Sequence, residues 1–195
     1  AATIVLVFTL RSANKTNAAA IKASSAALEA NQIMRNEQRP WIKFDPQVAF
    51  KNDHGNMRVN VVFPFQNVGV RPAQAVRVDV RKIAEYPIRQ DVRTYLIDAA
   101  NFARKFVTTD GVVFPNDRSK SGISIQVTLQ PDERHAVAGI ACAAVYSGVT
   151  AGAEYTTLNF YHASVMTKDS NIKFADVRSA SELFISVEQN TGLAT

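Results

Sequence analysis

The chain contains a single cysteine, three histidines and eight glycines among 195 residues. One thiol excludes an internal disulfide framework and any cysteine-rich metal site. The glycines form neither a Gly-x-Gly-x-x-Gly turn, a phosphate loop ending in Gly-Lys-Ser/Thr, nor a Gly-x-Ser-x-Gly elbow. His54, His135 and His162 share no metal-ligand spacing, and Cys142 stands apart from all three. The acidic pairs Asp45 with Asp53, and Asp132 with Glu133, lack the repeated spacing of a calcium loop and read as charged turns. Charge of one sign is not abundant either. There are 22 Lys and Arg against 17 Asp and Glu, a net charge of +5. A nucleic-acid binder concentrates such an excess into one patch, whereas the clearest unbalanced cluster here is Arg11, Lys15 and Lys22, just after the apolar opening, so the excess reads as membrane-related. No catalytic, cofactor-binding or metal-ligating set emerges, and no small-molecule substrate is expected.

What is present is apolar surface: 47% of the residues are hydrophobic, enough for a packed core. The first of it comes at once. The opening ten residues carry Ile4, Val5, Leu6, Val7, Phe8 and Leu10, and polarity begins at Arg11. As a helix, ten residues span about 15 Å, half of a ~30 Å hydrocarbon core. The expectation is therefore that residues 1–10 form the second half of a membrane-crossing helix embedded in the bilayer. The alternatives are a short core helix or the remnant of a signal peptide. Arg11, Lys15 and Lys22 follow directly, with no acid before Glu29. Basic residues beside a span favour the cytoplasmic side, so the rest of the chain is expected there, with the periplasmic side as the alternative.

Residues 11–39 read as an alanine-rich helical stalk, because no proline or glycine occurs from Asn14 to Gln38 and alanine is the best helix former. Ala19, Ala23, Ala26, Ala30 and Ile33 recur at four, three, four and three residues, a heptad seam of small side chains that admits a partner helix. The competing reading is a solvated spacer. Ile21 and Leu28 give a second row, read as lying on a neighbouring face. The helix is expected to stop at Arg39-Pro40, since proline disfavours helix in the residue before it. Trp41 follows, and Arg39, Pro40 and Trp41 form the expected junction between stalk and domain.

From residue 40 to 195 the period becomes two. Val59, Val61, Phe63 and Phe65 alternate with more polar residues, as do Val76, Val78 and Val80. Ile123, Ile125, Val127 and Leu129 repeat the pattern, and so do Leu183, Ile185 and Val187. Such alternation marks antiparallel strands with one buried face. Residues 41–50 read as the first strand, and 137–147 and 155–163 as two more. With turns at Asn67-Val-Gly69, Pro115-Asn-Asp117 and Pro131-Asp132, the fold class is mainly β, a sandwich of about seven strands. Asp91 to Phe106 interrupts as a helix, with Tyr95, Ile97, Phe102 and Phe106 as its expected buried face. Arg93, Arg104 and Lys105 make it a basic surface, suited to an acidic protein or to anionic lipid. It reads as an insertion covering an end or edge of the sandwich.

The run Glu29-Ala-Asn-Gln-Ile-Met-Arg-Asn-Glu-Gln-Arg-Pro-Trp-Ile42, followed by Phe65-Gln-Asn-Val-Gly-Val-Arg-Pro-Ala73, resembles a widespread group of uncharacterised bacterial membrane proteins. That resemblance implies an N-terminal span, an alanine-rich helix, a Gln-Arg-Pro-Trp junction and an immunoglobulin-like β-domain. It also implies that Asn67-Val-Gly69 is the turn after the second strand. No activity is implied. The expected function is accordingly non-enzymatic: an accessory or scaffold subunit bracing other subunits of a membrane complex. The alternative is an extracytoplasmic, membrane-tethered sensor or ligand-binding module.

Overall fold

The computed structural model describes residues 17–31, 33, 38–53, 56–83, 91–105, 110–119, 122–148 and 153–194. The chain divides into two compact units, Ala1–Arg39 and Pro40–Thr195. In the first, helix α1 covers residues 17–31. Ala19, Ala23, Ala26 and Ala30 are exposed along it, and Ile33 is helical and exposed as well. Ile21 and Leu28 are also exposed. At about 100° per residue, those two lie roughly 180° from the alanine seam, not beside it. The helix therefore offers apolar character on opposite sides. Ile4 to Leu10 lie outside the described residues. No described helix is long and apolar enough to cross a membrane.

The second unit is mainly β, with antiparallel sheets in an arrangement consistent with a β-sandwich. Its strands are β1 (Ile42–Phe44), β2 (Gln47–Asp53), β3 (Asn56–Phe63), β4 (Phe65–Asn67), β5 (Ala73–Ile83), β6 (Asp110–Val113), β7 (Ile123–Thr128), β8 (His135–Ser147), β9 (Glu154–Thr167) and β10 (Leu183–Ala194). Helix α2 (Val92–Ala103) lies between β5 and β6. One sheet has the order β10-β9-β8-β5-β6, a second β2-β3-β7, and β1 pairs with β4 in a short ribbon. Val59, Val61 and Phe63 of β3 share a single buried cluster with Val76, Val78 and Val80 of β5, and with Ile140 and Cys142 of β8. The Phe63 and Tyr161 rings, 5.2 Å apart, belong to the same core.

The expected first strand is in fact two. Pro46, which has no N–H to give a ladder, separates β1 from β2, and the two join different sheets. The run 59–65, expected as one strand, is likewise divided at Pro64 into β3 and β4 in different sheets, so the Asn67-Val-Gly69 turn follows the fourth strand rather than the second. Strand β5 is also irregular: its register with β8 shifts between Gln74 and Arg77, where Ala75 takes a positive φ of 50°. One residue bulged out of the ladder accounts for the shift.

Helix α2 corrects two expectations. It starts as the sequence suggests, with the Asp91 side chain accepting from the Arg93 backbone N–H at 3.1 Å. However, it covers neither an end nor an edge. Leu96, Ala99, Ala100 and Ala103 pack against Ile83, Ala141, Ala143, Val145, Leu158 and Phe160, on the outer face of the five-stranded sheet. Ile97 and Phe102, expected inside, are exposed, Tyr95 is only partly buried, and Phe106 lies outside the described residues. Three alanines on the helix meet two on β8, so close approach of backbones replaces interdigitation of large side chains. This also explains the unbroken apolar run in β8: even-numbered residues enter the sandwich core and odd-numbered ones meet the helix. Replacing Ala99 with Leu is expected to overpack that interface and cost about 1–3 kcal/mol. Ile97→Ala should cost well under that, and urea denaturation of the two variants compares them directly.

Candidate functional site

Asn67, at the end of β4, is wholly buried and bonds through both its side chain and its backbone. Its Oδ1 accepts from the Trp41 N–H at 3.1 Å and from the Gly69 N–H at 3.0 Å. Its Nδ2 donates to the Arg71 carbonyl at 2.7 Å and to the Val113 carbonyl at 3.0 Å. Its backbone N–H donates to the Asp117 carbonyl, and its carbonyl accepts from the Asn116 N–H at 2.7 Å. The Val68 N–H donates to the Trp41 carbonyl at 2.8 Å. One amide thereby ties together the chain's entry into the domain, the turn after β4, the end of β6 and the turn that follows. Asn116 makes that last turn with a φ of 67°, a left-handed conformation that asparagine tolerates better than most residues.

The segments gathered by Asn67 carry a concentration of exposed large hydrophobics. Trp41, Val68, Val70, Val112 and Phe114 have 40–64% of their surface open to solvent. Single exposed apolar residues are ordinary on a protein surface, whereas a group on adjoining segments is typical of a surface that binds something. Exposed Lys43 and Arg71 lie on the same segments, and Pro40 beneath them is buried. Of the expected junction, Arg39 is half-buried and Trp41 is held through its backbone rather than by full burial of its ring.

The basic residues of α2 are not gathered into one patch. Arg93 is exposed in the first turn, about 16 Å along the axis from Arg104. Arg104, at the C-cap, donates through Nε to Glu154 Oε1 at 2.8 Å, with further bonds to Asn101 and Thr156. Glu154 also accepts from Arg77, which reaches the Arg104 carbonyl as well. This network fastens the end of the helix to β5 and β9. Lys105 beside it is exposed. Farther along β5, Arg81 bonds Asp79 and lies 3.8 Å above the Phe102 ring, a cation–π contact that gives this half-exposed aromatic a place.

Among the described residues, no three His, Cys, Asp or Glu side chains are placed to hold a metal ion. His54 lies outside the described residues. His135 Nε2 and Ser164 Oγ are 3.1 Å apart on an exposed stretch of sheet, and His162 stands opposite Glu188 in the β9–β10 register. Three titratable groups are displaced from their usual values. Burial raises the Asp79 carboxyl more than its bond to Arg81 lowers it. Burial, with the Asp79 charge adding to it, raises the Cys142 thiol far up, as suits an inert core residue. Burial pushes Tyr161 to about 12, although Asn159 bonds its hydroxyl, which in turn donates to the Phe44 carbonyl at 3.3 Å.

Sequence reading reached Trp41 and the Asn67-Val-Gly69 turn but missed Asn67 as a hub and the neighbours Val70, Val112 and Phe114. The Asn-x-Gly triplet was the available signal, since an asparagine that bonds the amide two residues on makes a recognisable turn. Its other partners are 26 and 46 positions away.

Replacing Asn67 with Ala strands two part-buried donors and two acceptors, one of them fully buried, and the expected cost is about 3 kcal/mol. A fall in the urea midpoint with unchanged slope is the readout. For Asp79 the sign follows from its raised value in the fold. Its protonated form is favoured there, so its contribution is full below the ordinary carboxylate value and is lost as pH rises through the folded one. Asp79→Asn removes this dependence. Wild-type melting temperature, measured relative to that variant, is expected to fall as pH is raised from the acid range toward neutrality.

The chain matches no protein-family model, no curated protein and no solved structure at a significant level.

Proposed function

We propose that this chain is a non-catalytic, membrane-anchored accessory or scaffold subunit whose β-domain grips a neighbouring membrane protein through the apolar rim around Asn67. The observation that carries the reading is the group of exposed hydrophobics, Trp41, Val68, Val70, Val112 and Phe114, on segments locked together by one buried amide. A rim set on a fixed backbone loses little conformational freedom on binding, which favours its use as a contact surface. Tryptophan is among the side chains that most often anchor such contacts, and phenylalanine is enriched in them.

The occupant is a protein rather than a lipid surface. A subunit rising from the same bilayer could reach the rim. Exposed Lys43 beside the rim offers a contact for an acidic side chain of the partner. In this reading residues 1–10 sit in the bilayer, the domain is cytoplasmic and immunoglobulin-like, and the alanine seam packs beside a partner helix. A tether raises the effective concentration of the domain, so that a modest patch suffices.

The test is gentle detergent extraction of the intact protein, with mass spectrometry of what comes with it. Trp41→Ala combined with Phe114→Ala is expected to reduce recovery of the partner subunits by about tenfold, equivalent to ~1.4 kcal/mol. Val48→Ala, on a different exposed surface, should leave it unchanged. Ala23→Leu with Ala26→Leu should weaken the same complex if the seam is engaged. Equal recovery with the rim variant and with Val48→Ala would overturn the proposal.

A further inference from the structure

Strand β10 closes one side of the five-stranded sheet. It pairs along its length with β9, and no described strand pairs with its other side. It has 12 residues, against 4 in β6, 7 in β2 and 6 in β7, the other outermost strands. Natural edges of that length are normally guarded by lysine, proline or inward charge. Between Leu183 and Ala194 there is no lysine, arginine or proline, and the one ionisable residue is Glu188. A register shift between Gln189 and Thr191 is the one irregularity along it. On the sandwich side, Ile185 and Val187 are only partly buried and pack on the fringe of the core. Phe184 is exposed on the opposite face.

We infer that β10 is a self-association edge, pairing antiparallel with β10 of a second copy to make a continuous ten-stranded sheet. This stands apart from the rim and does not rest on it. A two-fold axis perpendicular to a sheet keeps inner faces inner, so residues directly opposite must share a face. With the axis at Ser186, Ile185 lies opposite the partner's Val187, a β-branched pair that completes both core fringes. Phe184 then lies opposite the partner's Glu188. The two Glu188 carboxylates, four strand positions apart, are roughly 13 Å from each other, so the sole acidic residue opposes no like charge. The strand thus matches itself in pattern and brings no like charges together.

The experiment uses the full chain in detergent micelles. Ser186→Cys places a thiol at the axis, and Cys142 is buried and does not compete. Mild oxidation is expected to convert Ser186→Cys into a disulfide-linked dimer, with about tenfold less product from Val48→Cys on the β2 edge. Separately, Phe184→Lys with Ser186→Lys adds guarding charge at positions that tolerate it. Sedimentation should show twice the 21.4 kDa chain mass for the wild type and the single mass for this variant, with unchanged circular dichroism. A monomeric wild type would overturn the inference, as would a dimer that survives both lysines or equal cross-linking at Val48→Cys. Survival would place the contact in the helical segment. Capture of a different protein by the Ser186→Cys thiol would assign the edge to a foreign strand.

Discussion

A buried amide with donors and acceptors all engaged can hold several chain segments in a way that apolar packing cannot, because each bond has a direction. Asn67 meets that description: Trp41, Gly69, Arg71 and Val113 all bond its side chain, while its own backbone fixes the 116–117 turn. Each bond adds little net stability, but removing their common partner leaves several buried groups unsatisfied at once. The β1–β4 ribbon is only three residues long on each side and could not set these segments by itself. Asn67 lies at its end and supplies what the short ladder lacks.

The second constraint is one of thickness. Strand β8 is covered on both faces, by the opposing sheet and by α2, and its sequence alternates between shapes rather than between polar and apolar residues. Alanines on the helix side let α2 settle close, and the larger Ile140 and Tyr146 point inward to the sandwich. The helix is then pinned at its flanks by Arg104 with Glu154 and by Arg81 over Phe102. This puts the two charged networks at the border of the apolar interface, where an exposed ion pair is weak but orients what it joins.

The longer strands and helix α2 could be read from period and punctuation, whereas β6 and the divisions at Pro46 and Pro64 were not. Val59, Val76, Val127 and Leu183 alternate as half-buried strands should, and Asp91 announces the start of α2. The buried face of α2 could not be read the same way. Size was the guide, and it selected Ile97 and Phe102 over Ala99 and Ala103, because the target surface on β8 is itself flat and alanine-lined. The split of residues 41–50 into β1 and β2 was signalled by Pro46, but their assignment to different sheets depends on pairings more than ten residues distant. The hub at Asn67 was legible only as a local turn, since a side chain's long-range partners leave no trace in spacing.

The antiparallel ribbon has a mechanical consequence. The chain enters the domain through β1, whose three residues lie against β4 with Ile42 opposite Asn67 and Phe44 opposite Phe65. A tug from the amino-terminal side along the β1 axis would strain all three pairings together in shear, with the Trp41–Asn67 bond taking the first share. Bonds loaded together in shear resist extension better than bonds peeled in turn, so the entry to the domain withstands a pull along this axis better than one across it.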